Sequence, residues 1–305
     1  MAEFTIADFA DEVYLLYREM YADVFERPQM WGLIFGDGNA PAPQFKIGGK
    51  TNMSLFQKRD FGVETNFAEL AQYTRFPTTV NVAKYTGKFR IVEDLVLGAQ
   101  AVGNYDMITG RVTDFGNAYL DTLDFIHWSY ILDGVATNKL GNGEYLFSVA
   151  QPIKSGGTRI NLQTGQLTSA NLATAIATMG SYPDHHGIRR EWRPKYLVVG
   201  ETLRPTALQV TQAEFRGAYW SDPLLDKYMK QLQIITVPLF DQVGSGKYWF
   251  LCDEPAKTHL KTYWMARSKM QLDIPDTRTM IYSDRFINIP TAVQDEGIYM
   301  GIGTV

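Results

Sequence analysis

Three stretches of different character follow one another along this 305-residue chain, and their order limits what it can fold into. A basic, mostly extended stretch comes first, over about 42–92. There Val80 and Val82 alternate with polar neighbours, as do Phe89 and Ile91, while Gly48-Gly49 and Gly62 interrupt the ladder. The composition predicts strands over Ser54–Phe61 and Thr78–Val92. A two-stranded arm of this length has little core of its own, and isolated hairpins are marginal in water. It must lie on something else, either another part of the chain or a neighbouring molecule.

The second stretch is one uninterrupted helical pattern. Ile108, Val112, Phe115, Tyr119, Leu123, Ile126 and Tyr130 follow at spacings of 4, 3, 4, 4, 3 and 4, with Asp114, Asp121 and Asp124 outside the stripe. This predicts a one-faced helix of about seven turns and ~40 Å, with Asp106 as N-cap and Asp133-Gly134 as its stop. A compact mixed region follows. Thr168 or Ser169 caps a short helix carrying Leu172, Ile176 and Met179, and Gly180 sits where a left-handed cap is expected. Tyr196–Val199 is an apolar run of central-strand type, and Thr202 and Pro205 open another helix. Ile234–Leu239 and Tyr248–Leu251 read as strands around the turn Val243-Gly244-Ser245-Gly246. Thr258–Ser268, Thr279–Ile289 and Gly297–Ile302 read as closing strands.

Ahead of all these, Phe9, Val13, Leu16, Met20 and Val24 form a helical stripe with acids on the other faces, ended by Pro28. Such an arm needs a partner surface. Charge divides the same region. Residues 1–35 hold seven acids and two bases, whereas residues 36–90 hold eight bases and four acids. The two segments complement each other within or between chains, or they are ordinary surface variation. The net charge of −4 argues against nucleic-acid binding by the chain as a whole. Aromatic residues make up 13%, which suits either an aromatic core or extensive interfaces. Cys252, the only cysteine, makes no intrachain disulfide and is expected to be buried behind Tyr248–Leu251. No secretory segment opens the chain and no apolar run approaches the ~20 residues of a membrane span, so the protein is expected to work in water.

Chemistry-bearing motifs fail on inspection. Gly244-Ser245-Gly246-Lys247 has Asp241 where a phosphate loop needs glycine and Tyr248 where it needs Ser or Thr. His185-His186 beside Asp184 reads as a solvated loop rather than a metal site. Cys252 has His259 nearby but no third orienting group. Asp253-Glu254 and Asp295-Glu296 are adjacent carboxylates whose spacing sets no acid apart from a base. No catalytic residue, cofactor or metal is therefore expected. An unrecognised soluble hydrolase is the alternative of a different class.

The order of parts resembles that of a tailed-phage major capsid protein, whose fold is shared with herpesvirus capsid floors and bacterial encapsulin shells. The nearest likeness is to the Mu-like head-subunit branch. Local matches are Leu146-Phe147 ahead of Pro152, Asn161 before Leu167-Thr168, Pro194–Val199 before a helix containing Ala207, Gly246–Asp253, and the tail Gly297-Ile298-Tyr299. Gln151 stands where the family often has His, and Asp295-Glu296 where it often has Trp-Arg. The resemblance implies an α+β fold with an N-terminal arm (1–40), an extended β-hairpin loop (41–92), a peripheral domain with a spine helix (93–136), a central A domain (137–262) and returning peripheral strands (263–305). It also implies hexamers and pentamers closing around double-stranded DNA in a virion assembled in the host cytoplasm. Portal, scaffolding and possibly decoration proteins are the implied partners, and no membrane. An encapsulin-like protein compartment is the nearest alternative. The expected contacts between copies set Lys46, Lys50, Lys58 and Arg59 against Asp8, Asp11 and Glu12, with burial of Phe56, Phe61, Phe9 and Leu16. Some relatives crosslink a loop Lys to an Asn; no such bond is inferred here.

Overall fold

A computed structural model describes residues 29–48, 73, 76–92, 106–211, 231–242, 247–268, 271–276 and 279–303. Two five-stranded sheets and one long helix organise them. The helix, α1 (Asp106–Leu132), runs 27 residues, about 40 Å. Its stripe is buried as the spacing implies, through Val112 and Leu123 with Phe115, Tyr119, Ile126 and Tyr130 half-covered. The buried face is wider than the stripe, because Leu120, His127, Trp128, Ile131 and Leu132 are covered too. Two bodies account for this. Phe115 and Tyr119 pack on the first sheet, while Trp128 meets Phe240 of the second at 6.2 Å.

The first, peripheral sheet contains β1 (Gly36–Asn39), β4 (Ala83–Val92), β11 (Leu260–Ala266), β12 (Gln271–Asp276) and β13 (Thr279–Ala292). β13 is its axis. On one side it pairs with β11 and then β12, and on the other with β4 across ten residues, Ala83 to Val92. β1 lies parallel beyond β11. The segment 83–92 is thus not the second strand of a free arm. Tyr85, Phe89 and Ile91 alternate inward and pack with Phe286, Tyr282 and the α1 aromatics, burial that a projecting hairpin would forgo. The base of the arm, β2 (Gln44–Ile47) paired with β3 (Thr78–Asn81), also rests on its own chain. Ile47, Val80 and Phe45 pack with Val293, Tyr263 and Ile289.

The second, central sheet has the order β7 (Leu162–Thr164), β14 (Ile298–Ile302), β10 (Tyr248–Asp253), β8 (Pro194–Val199), β9 (Gln233–Thr236). Its continuous apolar strands are explained by cover on both faces. Tyr196, Val198, Phe250, Cys252, Ile298 and Met300 face the core shared with α1. Leu197, Val199, Trp249, Leu251 and Tyr299 face α2 (Ser169–Gly180) and α3 (Arg204–Thr211). Thr168 caps α2, its hydroxyl accepting from the Asn171 N–H at 3.2 Å.

Four readings change here. Gly180 ends α2 as a helical residue, and Ser181, with φ −113°, follows as the cap. β9 and β10 form no hairpin; both pair with β8, and the helical turn α4 (Leu239–Gln242) stands between them. The last strand, β14, belongs to the central sheet, so the peripheral return ends near Ala292. Positive φ at Gly297 (76°) makes the turn into β14, and Gly301 lets the Trp249 ring lie directly on the strand. Finally, His185-His186 is no solvated loop. A short hairpin (β5, Gln151–Pro152, with β6, Thr158–Arg159) lies beside it, and His185 is buried against Phe76. His186 stacks on Tyr73 instead, while the Asp184 carboxylate accepts from the His186 and Ile188 amides and Arg190 Nε.

Candidate functional site

The chemistry best defined by the fold is a buried ionic junction where the chain leaves the peripheral sheet for the central one. Arg159, on β6, is 2% exposed. Its Nε and Nη2 donate to Asp295 Oδ2 and Oδ1 at 2.7 and 2.5 Å. Nη1 donates to Glu296 Oε1 at 3.1 Å and to the Pro183 carbonyl at 3.2 Å. On the far side of Glu296, Gln294 Nε2 donates to Oε2 and reaches His259 Nε2 at 2.9 Å. Burial alone would lower the Arg159 pKa, but the Asp295 and Glu296 carboxylates more than offset it, so the guanidinium stays charged. A bidentate fork on one carboxylate with a third bond to another fixes direction as well as distance. Both carboxylates lie within the crossover 293–297, so the junction sets how the two sheets join.

A second junction holds the Leu146-Phe147 motif. Asn161 Nδ2 donates to the Leu146 carbonyl at 2.8 Å and its Oδ1 accepts from the Ser148 amide at 2.7 Å. Gln151, fully buried, donates through Nε2 to the Tyr145 carbonyl at 2.5 Å and accepts from Asn142 Nδ2 at 3.0 Å. Those bonds hold Leu146 and Phe147 in the core, where Phe147 meets Phe250 edge-on. The third polar lock is His127. Its Nδ1 lies 2.6 Å from the Leu123 carbonyl, which only accepts, so this nitrogen carries the proton and Nε2 accepts from the Thr262 hydroxyl at 2.6 Å. The ring stacks on Trp31 at 3.8 Å. Burial lowers its pKa to about 4, against smaller upward effects of the Leu123 hydrogen bond and Asp37.

The remaining candidates for chemistry are held apart. Cys252 is fully buried, its Sγ lies 3.3 Å from the Asp253 carbonyl, and burial pushes its pKa well up. His259 is engaged with Gln294 and Thr258. Asp253 accepts from the Arg193 amide at 2.9 Å, whereas Glu254 pairs with Lys195 at 2.9 Å, so the two carboxylates serve separate contacts. Among the described residues, no group of three His, Cys, Asp or Glu is placed to hold a metal ion. No described helix is long and apolar enough to cross a membrane. Of the residues expected between copies, Lys46 lies exposed on β2. Lys50, Lys58, Arg59, Phe56, Phe61, Asp8, Asp11, Glu12, Phe9 and Leu16 fall outside the described residues, as does the turn 243–246.

Sequence reasoning missed Arg159. The adjacent acids at 295–296 were visible, but their cation stands 136 residues away in a tract with nothing unusual about it.

A buried, cross-linked body without an assembled reaction centre defines a structural protein. Residues 75–300 match the model of the family described as phage capsid protein, and the chain belongs to that family. Its work is therefore to build the shell of a virion. Solved structures agree on the fold. The capsid of cyanophage P-SCSP1u is similar with a TM-score of 0.54 and 14% identity, over 89% of this chain and 86% of that one. The virus-like particle from Pyrococcus furiosus gives 0.54 and 11%, over 94% and 97%. The procapsid of bacteriophage JBD30 gives 0.53 and 11%, over 99% and 77%. A search of curated proteins finds no match.

Proposed function

We propose that this chain is the major subunit of an icosahedral head, forming hexamers and pentamers that close around double-stranded DNA. The observation that carries this reading is the capsid-family match over residues 75–300. Closed symmetry then follows from one chain making several distinct contacts with its own copies. Large apolar side chains left open at separate places, among them Phe125, Val149, Ile160 and Met265, supply candidate surfaces for those contacts. Lys50, Lys58 and Arg59, with Phe56 and Phe61, meet a neighbouring copy, and Asp8, Asp11 and Glu12, with Phe9 and Leu16, are the complementary set. Exposed ion pairs contribute ~0–1 kcal/mol each, so they set register while apolar burial supplies adhesion. Assembly takes place in the host cytoplasm, with scaffolding and portal proteins as partners.

An encapsulin-like compartment is the second reading, favoured by the likeness to the Pyrococcus furiosus particle. Expression of the chain alone, followed by size-exclusion chromatography and electron microscopy, tests both. Closed shells or capsomers are expected. A stable monomer at high concentration would refute the assembly reading, and shells filled by a cargo protein instead of nucleic acid would favour the second.

A further inference from the structure

The outer face of the peripheral sheet is a cationic surface. Residues opposite one another on β4 and β13 share a face, so Lys84, Thr86, Lys88 and Arg90 lie beside Ile287, Arg285, Ser283 and Ile281. The inner face is the one covered by α1, as the packing of Tyr85 and Phe89 shows. Lys84, Lys88, Arg90 and Arg285 are all exposed, and none is ion-paired to a described residue. Lys261 shares the face on β11, and the β2–β3 hairpin that covers its far end carries Lys46 outward. Asp273, beside Ile281 on β12, is the acid on this face among the described residues. Between the cations Ile281 and Ile287 are only half-covered.

A face of this composition calls for a partner that is both acidic and apolar. Bare phosphate backbone would use the cations but leave the isoleucines in water. The segment 4–26 has both properties in one pattern, with Phe9, Val13, Leu16, Met20 and Val24 on a stripe and Asp8, Asp11, Glu12, Glu19, Asp23 and Glu26 around it. As a helix it would be ~34 Å long, enough to run along a ten-residue strand of roughly 33 Å. We infer that the acidic segment 4–26 of a second copy docks on the Lys84–Lys88–Arg90–Arg285 face, its stripe covering Ile281 and Ile287. This rests on the reading of the chain as a shell subunit and gives its acidic arm a landing site on the peripheral sheet, continuous with Lys46.

The test uses the full-length chain. Lys88→Glu with Arg90→Glu is expected to raise the concentration needed for assembly roughly tenfold. Adding Asp8→Lys, Asp11→Lys and Glu12→Lys to the same chain is expected to bring it back. Both basic positions are exposed, so unchanged circular dichroism will separate loss of docking from loss of fold. In a Lys88→Cys, Glu12→Cys variant, oxidation of the assembled protein is expected to give interchain multimers on a non-reducing gel, while each single variant stays monomeric. Lack of rescue, a disulfide confined to single chains, or normal assembly with less retained nucleic acid would overturn the docking. Wild-type chain that never forms shells would instead count against the shell reading, and the crosslink, read on whatever oligomer forms, still decides the docking.

Discussion

Replacing Arg159 by methionine tests the joint between the two sheets. The substitution keeps an unbranched chain of similar reach but removes a guanidinium that makes three bonds to two buried carboxylates. Asp295 and Glu296, at 3% and 4% exposure, would be left buried without their cation. Breaking a buried ion pair on one side costs about 3–5 kcal/mol. At about 2–4 °C per kcal/mol for domains of this order of size, the melting temperature should fall by roughly 10 °C. Urea unfolding followed by tryptophan fluorescence at pH 7.5 measures the loss directly. The variant carries its own internal check. Buried carboxylates without a cation favour their protonated forms, so part of the lost stability should return as the pH falls toward ~5. Arg159→Met combined with Asp295→Asn and Glu296→Gln should recover more than Arg159→Met alone, because no buried charge is then unpaired. A loss below ~1 kcal/mol, with no recovery at lower pH, would refute the claim that this junction holds the sheets together.

His127 gives a second pH effect with a definite sign. Its folded pKa, about 4, lies below the ordinary 6.5, so the unfolded chain binds the proton first. Stability is complete above pH 6.5 and declines by roughly 3 kcal/mol as the pH drops to about 4; His127→Gln should flatten that slope in an equilibrium-unfolding pH series. Gly301→Ala places a Cβ into the Trp249 indole and should cost about 3 kcal/mol or abolish soluble folded protein, read by thermal melting. Cys252 should resist alkylation in the native protein and react at full rate only in denaturant, as followed by mass spectrometry.

Periodicity made the secondary structure legible. The α1 stripe from Val112 to Tyr130 needed only residue spacing, because a long one-faced helix writes its buried side into the sequence at intervals of three and four. Tyr196–Val199 declared a central strand in the same way, since cover on both faces leaves no position for a polar side chain. Partners in space were less visible. Residues 83–92 alternate as any strand would, and nothing in them says that the other edge is Thr279–Asn288. Ile234–Leu239 and Tyr248–Leu251 looked like neighbours because they are close in sequence, yet β8 lies between them.

The chain's own order of residues determined which segments are helix or strand, which faces are apolar, and that its single thiol would be covered. These are local properties, fixed by intervals of two to four residues. Only the tertiary structure decided that Arg159 meets Asp295 and Glu296, that His127 is neutral, and that the last strand closes the central sheet. Each of those depends on groups more than a hundred residues apart being brought within bonding distance, and on water being excluded when they meet.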